Sequence, residues 1–450
     1  MAQAPAPPQA GAAALVTAIK AGRLIDPETG RSAANQVILV EGEKITAVGA
    51  NLPIPSGATV IDLSRLTVMP GLVDSHNHMA LTHSTFPPIR NSLLFNYITK
   101  PTPFRAIEAA SNAIQMLNSG FTVVRDLGNA ANYVDTALRE AIEQGWIPGP
   151  TIINAGIIIA PTGGQFRLTP EMARDKNLIY PEYLEADTPD EIVKAIRQNV
   201  LFGAKVIKIA VDAQPYMYTV DELKLFVSEA AKARLRVAAH HGSVEGARRA
   251  IDAGVWSMEH SGGLDDANHK LMAQKGIFRA GTETPVNEAR GNKAAFERSV
   301  ARLKNAYENK VPLLFSTDGD TYIPGKTRGE VVLTYLPAWK ATGMPVPEIL
   351  KALTINGYKV CELENVRGPI KPGLAADIIA VAGNPLEDID AVQRVQFVMK
   401  DGLVFKRDGV MTPEKFFNGG PARQMRRQAP PAPPRPTSTS SAPGGAPRDR

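Results

Sequence analysis

The middle of the chain, residues 70–365, alternates short apolar runs with longer amphipathic stretches. The apolar runs are rich in β-branched residues and are predicted to be strands. There are eight of them, at residues 71–78, 122–128, 151–156, 204–211, 236–241, 255–261, 276–282 and 312–318. Because helical stretches separate them, the pattern predicts βα units on a parallel sheet.

The stretches between these runs carry helix signals. Thr219 and Glu222 can form a capping box at the start of one helix. Residues 105–120 repeat apolar side chains at the i, i+3, i+4 spacing of one buried helix face, at Ile107, Ala110, Ile114 and Leu117. Eight such units in about 295 residues predict an α/β fold of the (β/α)8 TIM-barrel type rather than an open sheet.

The two segments that flank this region have a different pattern. Residues 13–69 and 366–412 hold short alternating strands broken by Asp-Gly, Glu-Gly and Asn-Pro turns. Neither segment is long enough to form a stable sandwich alone, so we expect them to combine into one small composite β-sandwich domain. Residues 1–12 and 420–450 are rich in Pro and small residues and are predicted to be disordered.

The net charge of +5 is confined to the C-terminal end of the chain. Residues 421–450 contain six arginines and one aspartate, so the rest of the chain is balanced and no nucleic-acid partner is expected. No apolar run approaches the roughly eighteen residues of a membrane span, so no membrane partner is expected either. Cys361 is the only cysteine, which excludes an intrachain disulfide and a cysteine-based zinc site.

The N-terminal residues bear on where the protein is located. They lack the apolar core of an intact signal peptide. The stretch "AQAPAPPQA" nevertheless resembles what remains after a bacterial signal peptide has been removed. We therefore expect a periplasmic or secreted protein, with the cytoplasm as the alternative.

Side chains that can bind a metal ion lie at five of the eight predicted strands. They are His76 and His78 on the first, Lys208 on the fourth, His240 beside His241 on the fifth, His260 on the sixth and Asp318 on the eighth. In a barrel the carboxyl ends of the strands meet at one face, so these side chains are predicted to converge. Imidazoles and oxygen donors without a thiolate suit Zn(II), Mn(II), Co(II) or Fe(II), and zinc is the first choice by availability.

Each candidate ligand has a structural alternative. Lys208 could form a buried salt bridge inside the barrel. His240 and His260 could be hydrogen-bonded core histidines, and Asp318 could cap a helix or form a turn. His241 follows His240 directly, so its side chain should point away from the ligand face.

Seven motifs together resemble the metal-dependent amidohydrolases, in the branch that contains imidazolonepropionase-like proteins, Xaa-Pro dipeptidases and ochratoxin-hydrolysing amidases. The resemblance covers about residues 13–412. The motifs are "MPGLVDSHNH", "SGFTVVRDLG", "PTGGQ", "VIKIAV", "VAAHHGSVEGARRAIDAGVWSMEHS", "FSTDGD" and "KPGLAADIIAV".

This resemblance implies a binuclear metal centre. His76 and His78 would hold one ion, His240 and His260 the second, and Lys208, carbamylated by CO2, would bridge the two. Asp318 would be both a ligand and the catalytic proton shuttle. A hydroxide between the two ions would then attack the amide bond of a dipeptide or an N-acyl amino acid that carries a free carboxylate. A homo-oligomer is also expected.

Three residues are candidates for substrate binding. Tyr218 resembles a tyrosine that contacts substrate in relatives, with an aromatic that covers apolar surface as the alternative. Gln165 stands where relatives often have a histidine, and His241 precedes Gly242, which occupies another such position. Because these departures lie near the reacting carbonyl, other functions stay open: hydrolysis of a cyclic amide, of a lactone or ester, or of a phosphotriester, and a non-catalytic metal-binding scaffold.

Overall fold

The computed structural model describes residues 16–84, 93–166, 168–180, 182–283 and 293–412. The two ends that are predicted to be disordered, residues 1–12 and 420–450, lie outside the described residues. Within the described ranges, no helix combines the length and the apolar character that crossing a bilayer requires.

The strands are short in the middle of the chain and longer at its flanks. Numbered along the chain, they are β1 (Val16–Asp26), β2 (Arg31–Glu41), β3 (Lys44–Ala50), β4 (Thr59–Pro70), β5 (Leu72–Asn77), β6 (His83–Ser84), β7 (Phe121–Asp126), β8 (Thr151–Asn154), β9 (Ile158–Ala160), β10 (Tyr183–Glu185), β11 (Ile207–Ala210), β12 (Val237–His240), β13 (Ser257–Glu259), β14 (Phe278–Ala280), β15 (Thr321–Tyr322), β16 (Ile378–Val381), β17 (Val395–Lys400), β18 (Leu403–Arg407) and β19 (Val410–Met411).

Helices follow most of the strands in the middle of the chain. They are α1 (Leu93–Thr99), α2 (Thr102–Asn118), α3 (Val134–Glu143), α4 (Pro170–Ala173), α5 (Lys176–Ile179), α6 (Pro189–Leu201), α7 (Val220–Lys232), α8 (Val244–Ala253), α9 (Asp266–Lys275), α10 (Lys293–Glu308), α11 (Arg328–Leu333), α12 (Leu336–Ala341), α13 (Val346–Leu353) and α14 (Ile355–Val360), with a 3-10 turn at Ile389–Gln393. The predicted capping box is confirmed at the start of α7, where the Thr219 hydroxyl accepts from the Glu222 amide and the Glu222 carboxylate accepts from the Thr219 amide.

Both flanking segments contribute to one eight-stranded sheet, in the order β19-β18-β17-β16-β4-β1-β2-β3. β4 joins the two segments, because it pairs in parallel with β1 and antiparallel with β16. Lys44 at the start of β3 also bridges Ala375, just before β16. Apolar side chains of both segments share one core, which includes Ile19, Ile38, Ile61, Val68, Ile378, Phe397 and Met399.

The strands between the flanks form two larger parallel sheets and one parallel pair, β6 with β15. One has the order β5-β7-β8 and the other β10-β9-β11-β12-β13-β14. The Lys205 amide donates to the Asn154 carbonyl at 2.7 Å, which links the end of β8 to the start of β11. Because the strands within each sheet are parallel, their carboxyl ends lie on one edge of that sheet.

The eighth predicted strand, residues 312–318, is the least regular. The structure gives this region only isolated bridges, at Leu313 toward β14 and at Gly319 toward β5. The Ser75 amide donates to the Phe315 carbonyl at 2.9 Å, so the segment still lies beside β5. Each of the other seven predicted runs contains a strand, whereas β9 and β10 were not predicted.

The buried face of α2 differs from the predicted one. Ile107 is 73% exposed, whereas Arg105 and Asn112 are buried. Arg105 Nε donates to the Ala80 carbonyl at 2.8 Å, and Asn112 Nδ2 donates to the Met79 carbonyl at 3.0 Å. The prediction for Ile107 was wrong because the helix turns polar side chains toward the loop after β5, which apolar spacing alone does not reveal.

Two substitutions on α2 test this face. Met116→Ala should lower the free energy of unfolding by about 2–5 kcal/mol, because Met116 is fully buried. Ile107→Gln should change it by less than about 0.5 kcal/mol. Urea unfolding followed by circular dichroism measures both, and an equal loss for the two variants would contradict the assigned face.

Candidate metal centre

Asp318 is the last residue of the irregular segment and lies against two histidines at the end of β5. Its Oδ1 lies 2.8 Å from Nε2 of His78 and 3.3 Å from Nε2 of His76. His76 and His78 are two residues apart on extended chain, so their side chains leave on the same side. One carboxylate therefore contacts both imidazole rings, as the sequence predicts.

The backbone around Asp318 is fixed by hydrogen bonds to β5. Asp318 has a left-handed conformation, with φ of 55°, and its amide donates to the His76 carbonyl at 2.8 Å. The buried carboxylate of Asp74 accepts from the Thr317 hydroxyl at 2.7 Å and from Asn77 Nδ2 at 2.8 Å. Asp74 thus ties the residue before Asp318 to β5, a role that sequence reasoning missed.

His260 and His240 extend this cluster from the neighbouring strands. His260 follows β13 with φ of 74°, and its Nδ1 lies 3.0 Å from the Thr282 hydroxyl and 3.8 Å from Oδ2 of Asp318. The centre of the His260 ring lies 5.0 Å from that of His76 and 4.4 Å from that of His240. The four predicted histidine ligands therefore form a continuous row.

Lys208 lies on β11 beneath this row. It is almost completely buried, and its Nζ lies 3.4 Å from Nε2 of His76. Burial lowers the pKa of Lys208 to about 8. A neutral amine is the form that reacts with CO2, so an appreciable neutral fraction near neutral pH is compatible with the predicted carbamate.

Burial also keeps most of the histidines neutral. The pKa of His76 falls to about 4 through burial and the nearby charge of Lys208, and burial takes the pKa of His240 and of His260 well below the ordinary value. The pKa of His78 is instead raised, because its hydrogen bond to Asp318 outweighs burial. Neutral imidazole is the form that binds metal ions, so this row is suited to do so.

A buried ion pair below the row was not predicted. Glu259 and Arg125 are both fully buried, and Glu259 Oε1 accepts from Arg125 Nη2 at 2.7 Å. The second oxygen of Glu259, Oε2, lies 2.9 Å from Nδ1 of His76. Burial raises the pKa of Glu259, but Arg125 and His76 outweigh it and hold that pKa well below its usual range. In the sequence, the signal for this ion pair is that Arg125 and Glu259 are charged residues within apolar predicted strands.

Gln165 is the one substrate-binding candidate that contacts the row. Its Nε2 lies 3.0 Å from Nε2 and 3.3 Å from Nδ1 of His240. Its Oε1 accepts from the Tyr183 hydroxyl at 2.9 Å. Because that hydroxyl occupies the carbonyl end of the amide, the NH2 end is directed at His240.

Tyr218 and His241 lie away from the row. Tyr218 is fully buried, its hydroxyl donates to the Ala186 carbonyl at 2.6 Å, and its ring packs on Phe226. His241 is buried next to Gly263, where an added Cβ would lie 3.0 Å from its Nδ1. Neither ring nitrogen of His241 has a hydrogen-bond partner among the described residues. The structure therefore does not bring these two residues to the predicted ligands.

The converging residues suit a divalent cation. Ligand atoms of His76, His260 and Asp318 all lie within 4.8 Å of one another. Imidazole nitrogens and a carboxylate, without a thiolate, form a donor set typical of zinc and related divalent metals. His78, His240 and Lys208 border this triad, so the chemistry of the donors fits the ions that the sequence predicts.

Comparison with known proteins agrees with this geometry. The family model described as "Amidohydrolase family" matches residues 67–404. Ochratoxinase from Aspergillus niger is 30% identical to this chain in an alignment 436 residues long, and the match covers 88% of this chain and 88% of that protein. The residues matched by the family model include every residue of the row described above.

Solved structures resemble the whole described fold. A Xaa-Pro dipeptidase with bound methionine in its active site is 29% identical, with a TM-score of 0.75, over 87% of this chain and 100% of that one. A prolidase complexed with N-methylphosphonate-L-proline is 26% identical, with a TM-score of 0.71, and also covers 87% of this chain and 100% of its own. Such neighbours imply a TIM barrel with an additional domain for this α/β chain.

Zinc should raise the melting temperature of protein that has first been dialysed against a chelator. An ion that binds only the folded state stabilises it by about 4 kcal/mol at a free concentration a thousand times its Kd. Calorimetry with and without zinc measures the shift. His260→Ala, which removes one of the three closest donors, should reduce it, and an unchanged melting temperature in the parent protein would contradict a metal centre.

Proposed function

Because the chain belongs to the amidohydrolase family and is a hydrolase that acts on carbon–nitrogen bonds, we propose that it cleaves an amide or peptide bond at a binuclear metal centre. The observation that carries the proposal is the shared carboxylate of Asp318, which contacts His76 and His78 and faces His260. His76 and His78 would hold one ion, and His260 with His240 the other.

Lys208 completes this ligand set as the bridge between the two sites. Its position 3.4 Å from His76 and its lowered pKa support carbamylation by CO2, which converts a cationic amine into an anionic oxygen donor. The alternative of a structural salt bridge has little support, because none of the ion pairs found among the described residues includes Lys208. Two divalent ions, with zinc the first choice, would polarise the scissile carbonyl and lower the pKa of a water molecule toward about 7.

Asp318 is the residue that moves the proton. Its carboxylate faces the histidine row, and its side chain is 37% exposed, so it is accessible from the side on which substrate arrives. Burial raises its pKa, but His260, His78 and His76 outweigh this effect and keep Asp318 ionised and able to accept a proton. The same carboxyl group then donates that proton to the leaving nitrogen.

The substrate is proposed to be a dipeptide or an N-acyl amino acid with a free carboxylate. The compounds named with two structural relatives, methionine and N-methylphosphonate-L-proline, are an amino acid and an N-substituted amino acid. In this chain the NH2 group of Gln165 is a neutral hydrogen-bond donor beside the proposed ligand His240. Gln165 is therefore assigned to substrate, whereas the contacts of Tyr218 favour a structural role and His241 has no contact with the row in the described part of the chain.

The proposal extends to the complete fold. Residues 70–365 form a closed (β/α)8 barrel, and the composite domain of residues 13–69 and 366–412 is built on one eight-stranded sheet rather than on the two sheets of the predicted β-sandwich. The link from β8 to β11 and the position of residues 312–318 between β14 and β5 support closure. Closure brings the ends of β5, β11, β12 and β13 to one mouth.

A substrate panel tests the proposed reaction with zinc-loaded protein. N-acyl amino acids with a free carboxylate should give the highest kcat/KM, and their carboxyl-amidated forms should be hydrolysed more slowly. Asp318→Asn should lower kcat by about 10²- to 10⁴-fold, because the proton acceptor is lost. Asp377→Asn changes a buried aspartate directly before β16 of the eight-stranded sheet and should leave kcat near that of the parent protein.

Other results would overturn the assignment in distinct ways. A preference for cyclic amides, lactones, esters or phosphotriesters would contradict the substrate class. The absence of turnover in protein that holds two ions would favour a non-catalytic scaffold.

A further inference from the structure

Glu259 contacts the proposed ligand His76 on the side opposite Asp318. Glu259 Oε2 lies 2.9 Å from His76 Nδ1, and neither atom has another polar partner in the part of the chain that the structure describes. Both residues are fully buried. Because water does not reach this contact, Glu259 is the acceptor available to a proton on Nδ1.

The other oxygen of Glu259 accepts hydrogen bonds from two side chains. Glu259 Oε1 accepts from Arg125 Nη2 at 2.7 Å and from the Ser257 hydroxyl at 2.5 Å. Arg125 is itself held, since its Nε donates to the Ser75 carbonyl at 2.6 Å and its Nη1 contacts Ser257 at 2.9 Å. A guanidinium can only donate hydrogen bonds, so it fixes which oxygen of Glu259 faces His76.

His78 shows the same arrangement with a backbone acceptor. Its Nδ1 lies 2.8 Å from the Gly128 carbonyl, which can only accept, so Nδ1 carries a proton and Nε2 is the nitrogen that faces Asp318. His76 has no such carbonyl partner among the described residues. Its Nε2 lies 3.3 Å from Asp318 Oδ1 and 3.4 Å from Lys208 Nζ, so this nitrogen faces the proposed ligand set.

We infer that Glu259, held by Arg125 and Ser257, is a positioning residue that keeps the proton of His76 on Nδ1 and so leaves Nε2 free to bind a metal ion. The inference rests on the proposed function, because it concerns an ion at Nε2. A carboxylate that accepts from the second nitrogen of a metal-binding histidine fixes the tautomer and the ring orientation. A purely structural ion pair would stabilise the fold but would not affect the affinity for metal.

Glu259→Gln separates these two roles. Arg125 and Ser257 still require an acceptor, so the amide carbonyl takes the place of Oε1 and the amide NH2 points at His76 Nδ1. His76 must then accept at Nδ1 and carry its proton on Nε2, where it opposes metal binding. Zinc affinity should fall by about 10- to 100-fold.

The measurement is equilibrium dialysis of the full chain against a buffered series of zinc concentrations, followed by elemental analysis. Asp377→Asn is the matched control, because Asp377 is also buried and paired with an arginine, Arg367 at 2.7 Å, but directly precedes β16 of the eight-stranded sheet. Its zinc affinity should equal that of the parent protein. High zinc should restore hydrolysis by Glu259→Gln, which loss of folding would not allow.

Unchanged zinc affinity and stoichiometry in Glu259→Gln would overturn the inference. Should that variant not fold, Glu259→Asp gives the answer, because it keeps the negative charge for Arg125 but is one methylene too short to reach His76 as well. Its zinc affinity should also fall, and parent-like affinity would overturn the inference. If the parent protein itself binds no zinc, the proposed function fails instead.

Discussion

The carboxylate of Asp318 is the contact on which the candidate site depends. Two of its histidine neighbours come from the end of β5 and a third from the end of β13, nearly two hundred residues later in the chain. Unprotonated imidazole nitrogens and a carboxylate oxygen all offer lone pairs, so a cation among them would hold them together. The left-handed turn at Asp318, tied to β5 through the His76 carbonyl and through Asp74, places that carboxylate.

The buried charged residues around the site form ion pairs, and the arginines of these pairs also donate hydrogen bonds to backbone carbonyls. Arg125 binds Glu259 and also the Ser75 carbonyl. Arg105 binds Glu182 and also the carbonyls of Ala80 and Asn129. An unpaired charge at these depths would be costly, and pairing removes most of that cost while fixing the loops after β5 and β7. Rigid support of this kind is what an array of metal ligands requires.

Much of the architecture could be predicted from the sequence. Seven of the eight predicted runs contain a strand, and the capping box at Thr219 is present, because these signals are local. The residues His76, His78, Lys208, His240, His260 and Asp318 meet because the carboxyl ends of parallel strands share one edge. The family assignment followed from motifs around the same residues and is confirmed by the match over residues 67–404.

The remaining features depend on partners that are distant in sequence. Ile107 is exposed because Arg105 and Asn112 occupy the buried side of α2, and their partners lie in the loop after β5. Glu259 gave no signal apart from its charge, since its role depends on Arg125 and His76. Tyr218 could not be assigned without knowing that its hydroxyl is bound to Ala186. Periodicity and motif spacing do not contain this pairing information.

The central claim is that side chains from separate strand ends hold two ions side by side with Lys208 between them. The most direct measurement is a crystal structure of the zinc-loaded protein with anomalous differences collected at the zinc absorption edge. The account predicts two peaks about 3.5–4 Å apart in the row of histidines, with a carboxylated Lys208 contacting both. A single peak or none, with an unmodified Lys208 amine turned away from His76, would contradict it.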